Sequence, residues 1–164
     1  MRLLALDLGT TTGYALGDTD ADWPSEIGTW ELGCRDVKGG NTEMNWIHRV
    51  DRLNDALYWI TAELYPEMIA YEAGFVRGKA SELFAGFRWA VRLHSLGLEC
   101  SLTHRSPTEI KKHATGSGRA MKYEVRAALI ERHGSRAEGL THDAADATAL
   151  WFLVRSELEG ASDE

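Results

Sequence analysis

The chain has 164 residues, 44% hydrophobic and 26% charged, a composition typical of one globular domain with its own core. No apolar run approaches the ~18 residues of a membrane span, and Asp7 interrupts the short apolar run near the N-terminus, so we expect neither a membrane span nor secretion. Cys34 and Cys100 stand in no metal-binding spacing, which favours free thiols in the cytoplasm.

The first third of the chain carries the patterns of three strands. Residues 2–8 are almost continuously apolar and predict a buried strand, and the glycines and threonines of 9–13 predict a tight turn. A returning strand then begins at Tyr14. After an acidic loop, the alternation over 27–32 predicts a third strand, followed by a glycine-containing connection over 35–41.

The rest of the chain alternates between helices and strands. Apolar residues recur at three- and four-residue steps over 43–65, which predicts an amphipathic helix that Pro66 ends. The remaining predicted elements are a strand at 68–71, a helix at 80–96, a strand at 98–103, and helices at 106–116, 122–133 and 142–158.

This order predicts an α/β fold. The first three strands should form an antiparallel meander, and the two later strands should join it in parallel through helical crossovers. A five-stranded mixed sheet flanked by helices, with acidic residues gathered at one end, is similar to an RNase H-like fold. We expect one domain over 1–158, with 159–164 as a short acidic tail.

Four carboxylates lie in three short patterns. Asp7 and Glu72 each close an apolar strand, and Asp143 and Asp146 stand three residues apart at the start of the last helix, on one helix face. Like charges gathered in this way repel one another unless divalent cations neutralise them. Two Mg²⁺ ions in such a site can activate a water and stabilise the leaving oxygen of a phosphodiester. The pattern therefore predicts a nuclease.

The charge is distributed unevenly along the chain. The net charge is −7, which by itself disfavours a general nucleic-acid binder. However, residues 75–136 contain 12 basic and 5 acidic residues, whereas the segments before and after them are acidic. This distribution predicts a groove for a polyanion formed by the middle segment, next to a metal site formed by the flanks.

Four motifs in order resemble those of the RuvC-type Holliday junction resolvase family, over nearly the whole chain. The first is Asp7-x-Gly9 with Gly13-Tyr14, although Leu8 stands where the family usually has proline and the turn is one residue shorter. The departures and the small size indicate a divergent, bacteriophage-type member. The other three are Tyr71 to Phe75, the basic glycine segment from Ile110 to Lys122, and Asp143 to Ala147.

The resemblance implies a structure-selective endonuclease that makes paired symmetric nicks in four-way DNA junctions, leaving 5′-phosphate and 3′-hydroxyl ends. Asp7, Glu72, Asp143 and Asp146 would hold two Mg²⁺ ions per active site, which Mn²⁺ can replace. Phe75 would stack on a base at the opened junction. The other residues implied to contact DNA are Arg77, Lys79, Lys111, Lys112, Gly116, Ser117, Gly118, Arg119 and Lys122.

A homodimer is expected because two symmetric nicks need two active sites and one chain supplies one acid quartet. The helix at 80–96 is the candidate contact, since its apolar residues occupy more than one face. An alternative is that these residues only enclose the core. By their apolar surroundings, Trp30, Trp46, Trp59, Trp89 and Trp151 are expected to be buried.

Two other functions stay open at this point. One is a nuclease of the same fold that acts on flaps, forks or RNA, or a relative that binds junctions without cleaving them. The other is an ATP-binding domain of the actin and sugar-kinase type, because Leu6 to Thr11 is also similar to the phosphate loop of that superfamily. Such proteins clasp ATP between two domains, and this chain supplies one.

Overall fold

The computed structural model describes residues 1–33, 42–74, 78 and 80–162. Phe75, Arg77 and Lys79, which the resemblance assigns to DNA contact, lie outside the described residues, as does Cys34. Cys100 is a free thiol. Among the described helices, none has the length and apolarity needed to cross a membrane.

The described residues form one mixed sheet of five strands in the order β3-β2-β1-β4-β5. The first three strands are antiparallel, and β4 and β5 pair in parallel with β1 and β4, so the predicted topology is confirmed. The strands are β1 (Arg2–Asp7), β2 (Thr11–Asp18), β3 (Glu26–Glu31), β4 (Met68–Glu72) and β5 (Ser101–Arg105).

Helices cover both faces of the sheet. Two of them, α1 and α2, pack on one face, and α3, α4 and α6 pack on the other. The helices are α1 (Thr42–Leu64), α2 (Ser81–Gly97), α3 (Pro107–Thr115), α4 (Lys122–His133), α5 (Ser135–Glu138) and α6 (His142–Ser162).

Several boundaries differ from the expectation. Strand β2 begins at Thr11 instead of Tyr14, because β-branched threonines suit a strand and the Thr12 hydroxyl bonds the Gly9 carbonyl at 2.9 Å, which shortens the turn. Strand β5 is shifted to Ser101–Arg105, after Glu99 takes a positive φ of 53°. The short α5 was not predicted, and α6 continues to Ser162, so residues 159–162 of the expected tail are helical.

The core has a separate layer on each face of the sheet. Leu4, Leu6 and Tyr71 point toward α1 and α2, whereas Leu3 and Ala5 point toward α6. This division follows from the two-residue period of a strand, in which successive side chains point to opposite faces.

Candidate active site

Asp7 and Glu72 end two neighbouring parallel strands. Strands β1 and β4 are in register up to the pair Leu6 and Tyr71, so the two acids are the next position on each strand. Because Leu6 and Tyr71 point toward α1 and α2, Asp7 and Glu72 point to the opposite face, which α6 covers. The strand period therefore places both acids on the same face and at the same edge of the sheet.

The first turn of α6 supplies the other two acids. The backbone N–H of Ala144 donates to the Thr141 hydroxyl at 3.2 Å, which caps the helix and fixes its start. Asp143 and Asp146 are three residues apart and both approach Lys122, as expected for one helix face.

Gly13 allows α6 to come this close to the sheet. It is the β2 residue paired with Asp7, and a Cβ built on it would lie 2.0 Å from the backbone oxygen of Asp143. A side chain at this position would push the start of α6 away. The absence of a side chain thus brings Asp143 against the end of β1.

Lys122, the first residue of α4, lies among the acids. Its Nζ donates a hydrogen bond to Asp143 Oδ1 at 2.9 Å and forms ion pairs with Asp146 Oδ2 at 3.3 Å and Asp7 Oδ2 at 3.9 Å. Oxygens from β1 and from α6 therefore converge on one ammonium group, so the fold brings these three acids together.

Burial and mutual repulsion raise the pKa values of three of the four acids. Burial, and next the charges of Glu72 and Asp146, raise the pKa of Asp7 to about 8, although Lys122 acts in the opposite direction. Burial and Asp146 also raise the pKa of Glu72, and burial raises the pKa of Asp146 against the effect of Lys122. Such pKa values mean that carboxylates are held close together in a poorly solvated place.

This chemistry fits divalent cations. Carboxylate oxygens are the ligands that Mg²⁺ prefers, and a divalent ion would remove the repulsion that raises these pKa values. Within the described residues, however, no group of three or more His, Cys, Asp and Glu side chains has an arrangement that could hold a metal ion. The three aspartates direct oxygens toward Lys122 instead. The donor set suits the metal, while its present orientation suits an ammonium group.

The basic glycine segment lies next to the acids. Lys111 on α3 is close enough to lower the pKa of both Glu72 and Asp146 against the larger effect of their burial. Lys112 and Arg119 are exposed, and Gly116 ends α3 in the left-handed region, at a φ of 81°. Because residues with a side chain rarely adopt this backbone conformation, glycine is favoured at that position.

The backbone of this segment is less available to a phosphate than its glycines suggest. The amides of Gly116, Ser117 and Arg119 already donate to the Lys112 carbonyl, the Thr115 hydroxyl and the Ser117 hydroxyl. Gly118 packs on α3, since a Cβ there would lie 2.5 Å from Thr108 Cγ2. Phosphate contacts from this segment would therefore come chiefly from its exposed side chains.

Sequence reasoning missed two residues that position the site. Arg126 of α4 donates from Nε to the Leu140 carbonyl at 2.7 Å and so fixes the segment just before α6. No sequence pattern indicates this long-range contact. The N-cap of α6, Thr141, could have been found, because a threonine directly before a helical pattern is a known start signal.

No protein-family model matches the chain, and no curated protein matches its sequence. Solved structures do match. The RuvC structure from Thermus thermophilus superposes with a TM-score of 0.74 at 18% identity, covering 98% of this chain and 97% of that one. The chain has the same fold as RuvC. T. thermophilus RuvC in complex with a Holliday junction substrate gives 0.73 at 20% identity, covering 98% and 96%.

The same fold occurs in a eukaryotic structure. The yeast mitochondrial Holliday junction resolvase Ydc2 superposes with a TM-score of 0.61 at 16% identity, covering 99% of this chain and 82% of that one. At such low identities the similarity establishes the RuvC-type fold of this chain, and the function must be argued from the site.

Proposed function

We propose that this protein is a metal-dependent endonuclease that resolves four-way DNA junctions. The observation that carries the proposal is the convergence of Asp7, Asp143 and Asp146 on one point beside Glu72, at one edge of a RuvC-type fold. One of the similar structures is of a RuvC bound to a Holliday junction substrate. Both facts favour junction DNA as the substrate.

The four carboxylates, Asp7, Glu72, Asp143 and Asp146, would hold two Mg²⁺ ions, which Mn²⁺ can replace. When bound, these ions supply activation of a water and charge stabilisation at the leaving oxygen. The partly buried position of the acids keeps bulk water away from them and strengthens every electrostatic interaction in the site.

DNA binding would use the basic segment beside the acids. Lys111 lies near enough to influence Glu72 and Asp146, so it is well placed to neutralise a phosphate of the strand being cut. The exposed Lys112 and Arg119 extend this positive surface. The protein as a whole is acidic, so this local concentration of charge would direct DNA to the site.

We further propose that the protein acts as a homodimer through α2. The buried side of this helix carries Leu83, Phe87 and Val91, as expected for packing on the sheet. Its other side leaves Trp89, Leu93 and Leu96 between 59% and 75% exposed. Large apolar groups exposed together favour an interface, and a two-fold dimer would present two acid clusters to a two-fold junction.

The central test is the substitution of a metal ligand. Loss of an outer partner of a ligand alone costs about 10–100-fold, so Asp7→Asn or Asp146→Asn should reduce junction cleavage by more than ~100-fold. Junction binding should persist or become tighter, because a negative charge next to a phosphate is removed. Cleavage gels and band-shift assays with four-way, three-way, flap and linear DNA in Mg²⁺ measure both properties.

The matched control is Asp55→Asn, which removes an exposed acid of α1 and should leave cleavage unchanged. Cleavage by Asp7→Asn or Asp146→Asn within tenfold of the unchanged protein would contradict the assignment. Equal cleavage of flaps and four-way junctions would instead favour a general branched-DNA nuclease.

A further inference from the structure

Lys122 has a more specific environment than a residue that only contacts DNA. Its ammonium group lies within 3.9 Å of one oxygen from each of Asp7, Asp143 and Asp146. An ammonium group has three N–H donors and no acceptor. With carboxylates on several sides, little of its donor capacity is left for a phosphate.

The acids depend on this cation. Asp146 is 6% exposed and the Asp7 side chain 13% exposed, so a negative charge on either carboxylate would be poorly solvated. Removal of the partner of a buried charge is strongly destabilising, because it leaves that charge uncompensated. Among the described residues, Lys122 is the cation within ion-pair distance of these two acids.

A divalent cation held by these carboxylates would need the same space. It would bind the oxygens that now face Lys122 Nζ, and two cations so close together repel each other strongly. Lys122 and the metal cannot both occupy the centre of the cluster. Whichever of the two is bound makes the binding of the other less favourable, and this coupling is reciprocal.

We propose that Lys122 is the internal counter-cation of the acid cluster and competes with divalent metal for it. The metal half of this inference rests on the proposed function, whereas the counter-cation half rests on the ion pairs alone. Lys122 is thus a positioning residue that keeps the acids together until metal replaces it. This role predicts two effects that can be measured without DNA, where a contact between Lys122 and a phosphate would have no influence.

The test compares Lys122→Gln with Lys122→Arg, which keeps the charge, and with Lys112→Gln, which removes an exposed lysine of the same basic segment. Coupled sites usually change each other's affinity by about 5–150-fold, so Lys122→Gln should bind Mn²⁺ at least ~10-fold more tightly in calorimetry without DNA. Its melting temperature should fall in EDTA and recover in saturating Mn²⁺. The Lys122→Arg and Lys112→Gln proteins should match the unchanged protein in both Mn²⁺ affinity and melting temperature, measured without DNA. If Lys122→Gln folds only when Mn²⁺ is supplied, that result supports the proposal as well.

Unchanged Mn²⁺ affinity in Lys122→Gln would overturn the competition, as would a lack of Mn²⁺ binding by all variants. An unchanged melting temperature in EDTA would overturn the counter-cation role. Neither readout involves DNA cleavage. Retained cleavage by Asp146→Asn would therefore refute the proposed function without altering the melting result for Lys122.

Discussion

The two faces of the sheet are covered to very different degrees. On the face that carries the acids, Trp151 of α6 has no exposed surface, and Ala147, Ala149 and Leu150 around it are equally enclosed. On the opposite face, Trp59 of α1 and Trp89 of α2 remain 68% and 59% exposed. Both helix layers are apolar, but among the described residues α1 and α2 leave more large apolar side chains exposed.

The difference indicates which parts of the molecule must be rigid. The acids of α6 have to meet Asp7 and Glu72 from another element, and the buried stretch over residues 144–151 of this helix keeps that distance fixed. The other face carries none of the four acids, so its exposed apolar groups are available to the second copy of the chain that we propose.

Replacement of one tryptophan on each face should affect different properties, namely monomer stability on one face and dimer affinity on the other. Trp151→Ala removes a fully buried side chain and should lower the free energy of unfolding by about 3–5 kcal/mol. Trp89→Ala should change it by less than ~0.5 kcal/mol for the monomer but should weaken the proposed dimer. Urea unfolding and sedimentation at micromolar protein measure the two effects. A large loss of monomer stability in Trp89→Ala would mean that α2 belongs to the core alone.

A pair of glycines offers a sharper comparison. Gly13→Ala would place a Cβ 2.0 Å from the Asp143 backbone oxygen, whereas at Gly86 of α2 the nearest atom is the end of the Val50 side chain, at 2.8 Å. Overpacking typically costs about 1–3 kcal/mol, so Gly13→Ala should lose at least that much stability. It should also weaken Mn²⁺ binding, because Asp143 moves. Gly86→Ala should be close to neutral, since alanine gains up to ~1 kcal/mol in a helix interior. Urea unfolding and calorimetry measure the two quantities. Equal losses of stability and of Mn²⁺ affinity in both variants would contradict the role of Gly13 in positioning α6.

The last prediction is a pH dependence of stability that comes from the acid-bearing face. With its pKa at about 8 instead of 3.8, folded Asp7 retains a proton that the unfolded chain releases. Between these two values stability should therefore fall as the pH rises, by up to ~1.4 kcal/mol per pH unit for one proton. This holds in EDTA, since metal would displace the proton. Asp7→Asn should reduce the slope and Asp55→Asn should not, as urea unfolding from pH 5 to 8 can show. Glu72 and Asp146, whose pKa values are also raised, should keep part of the slope. An undiminished slope in Asp7→Asn would assign it to another group.

Local sequence patterns were enough to predict the topology and to identify the acids. Strand and helix periods depend on local chain geometry, so β1, β4, α1 and α6 were recognisable from their patterns. The three-residue step between Asp143 and Asp146 already implied one helix face. Boundaries such as the start of β2 were less accurate, because the hydrogen bonds of Thr12 are not part of the hydrophobic pattern.

The contacts of the acids and the burial of the aromatic residues depend on the tertiary structure. Five tryptophans were expected to be buried. Trp151 is fully buried, and Trp30 and Trp46 are partly buried against the core. The expectation was wrong for Trp59 and Trp89, because an apolar helix pattern does not tell how many of its sides find a partner. The role of Gly13 depends on α6, 130 residues later in the chain. In the sequence, Lys122 was indistinguishable from the other basic residues near the glycine segment that were expected to contact DNA. Its position among three aspartates arises because α4 and α6 start at the same edge of the sheet, a long-range arrangement that no local pattern encodes.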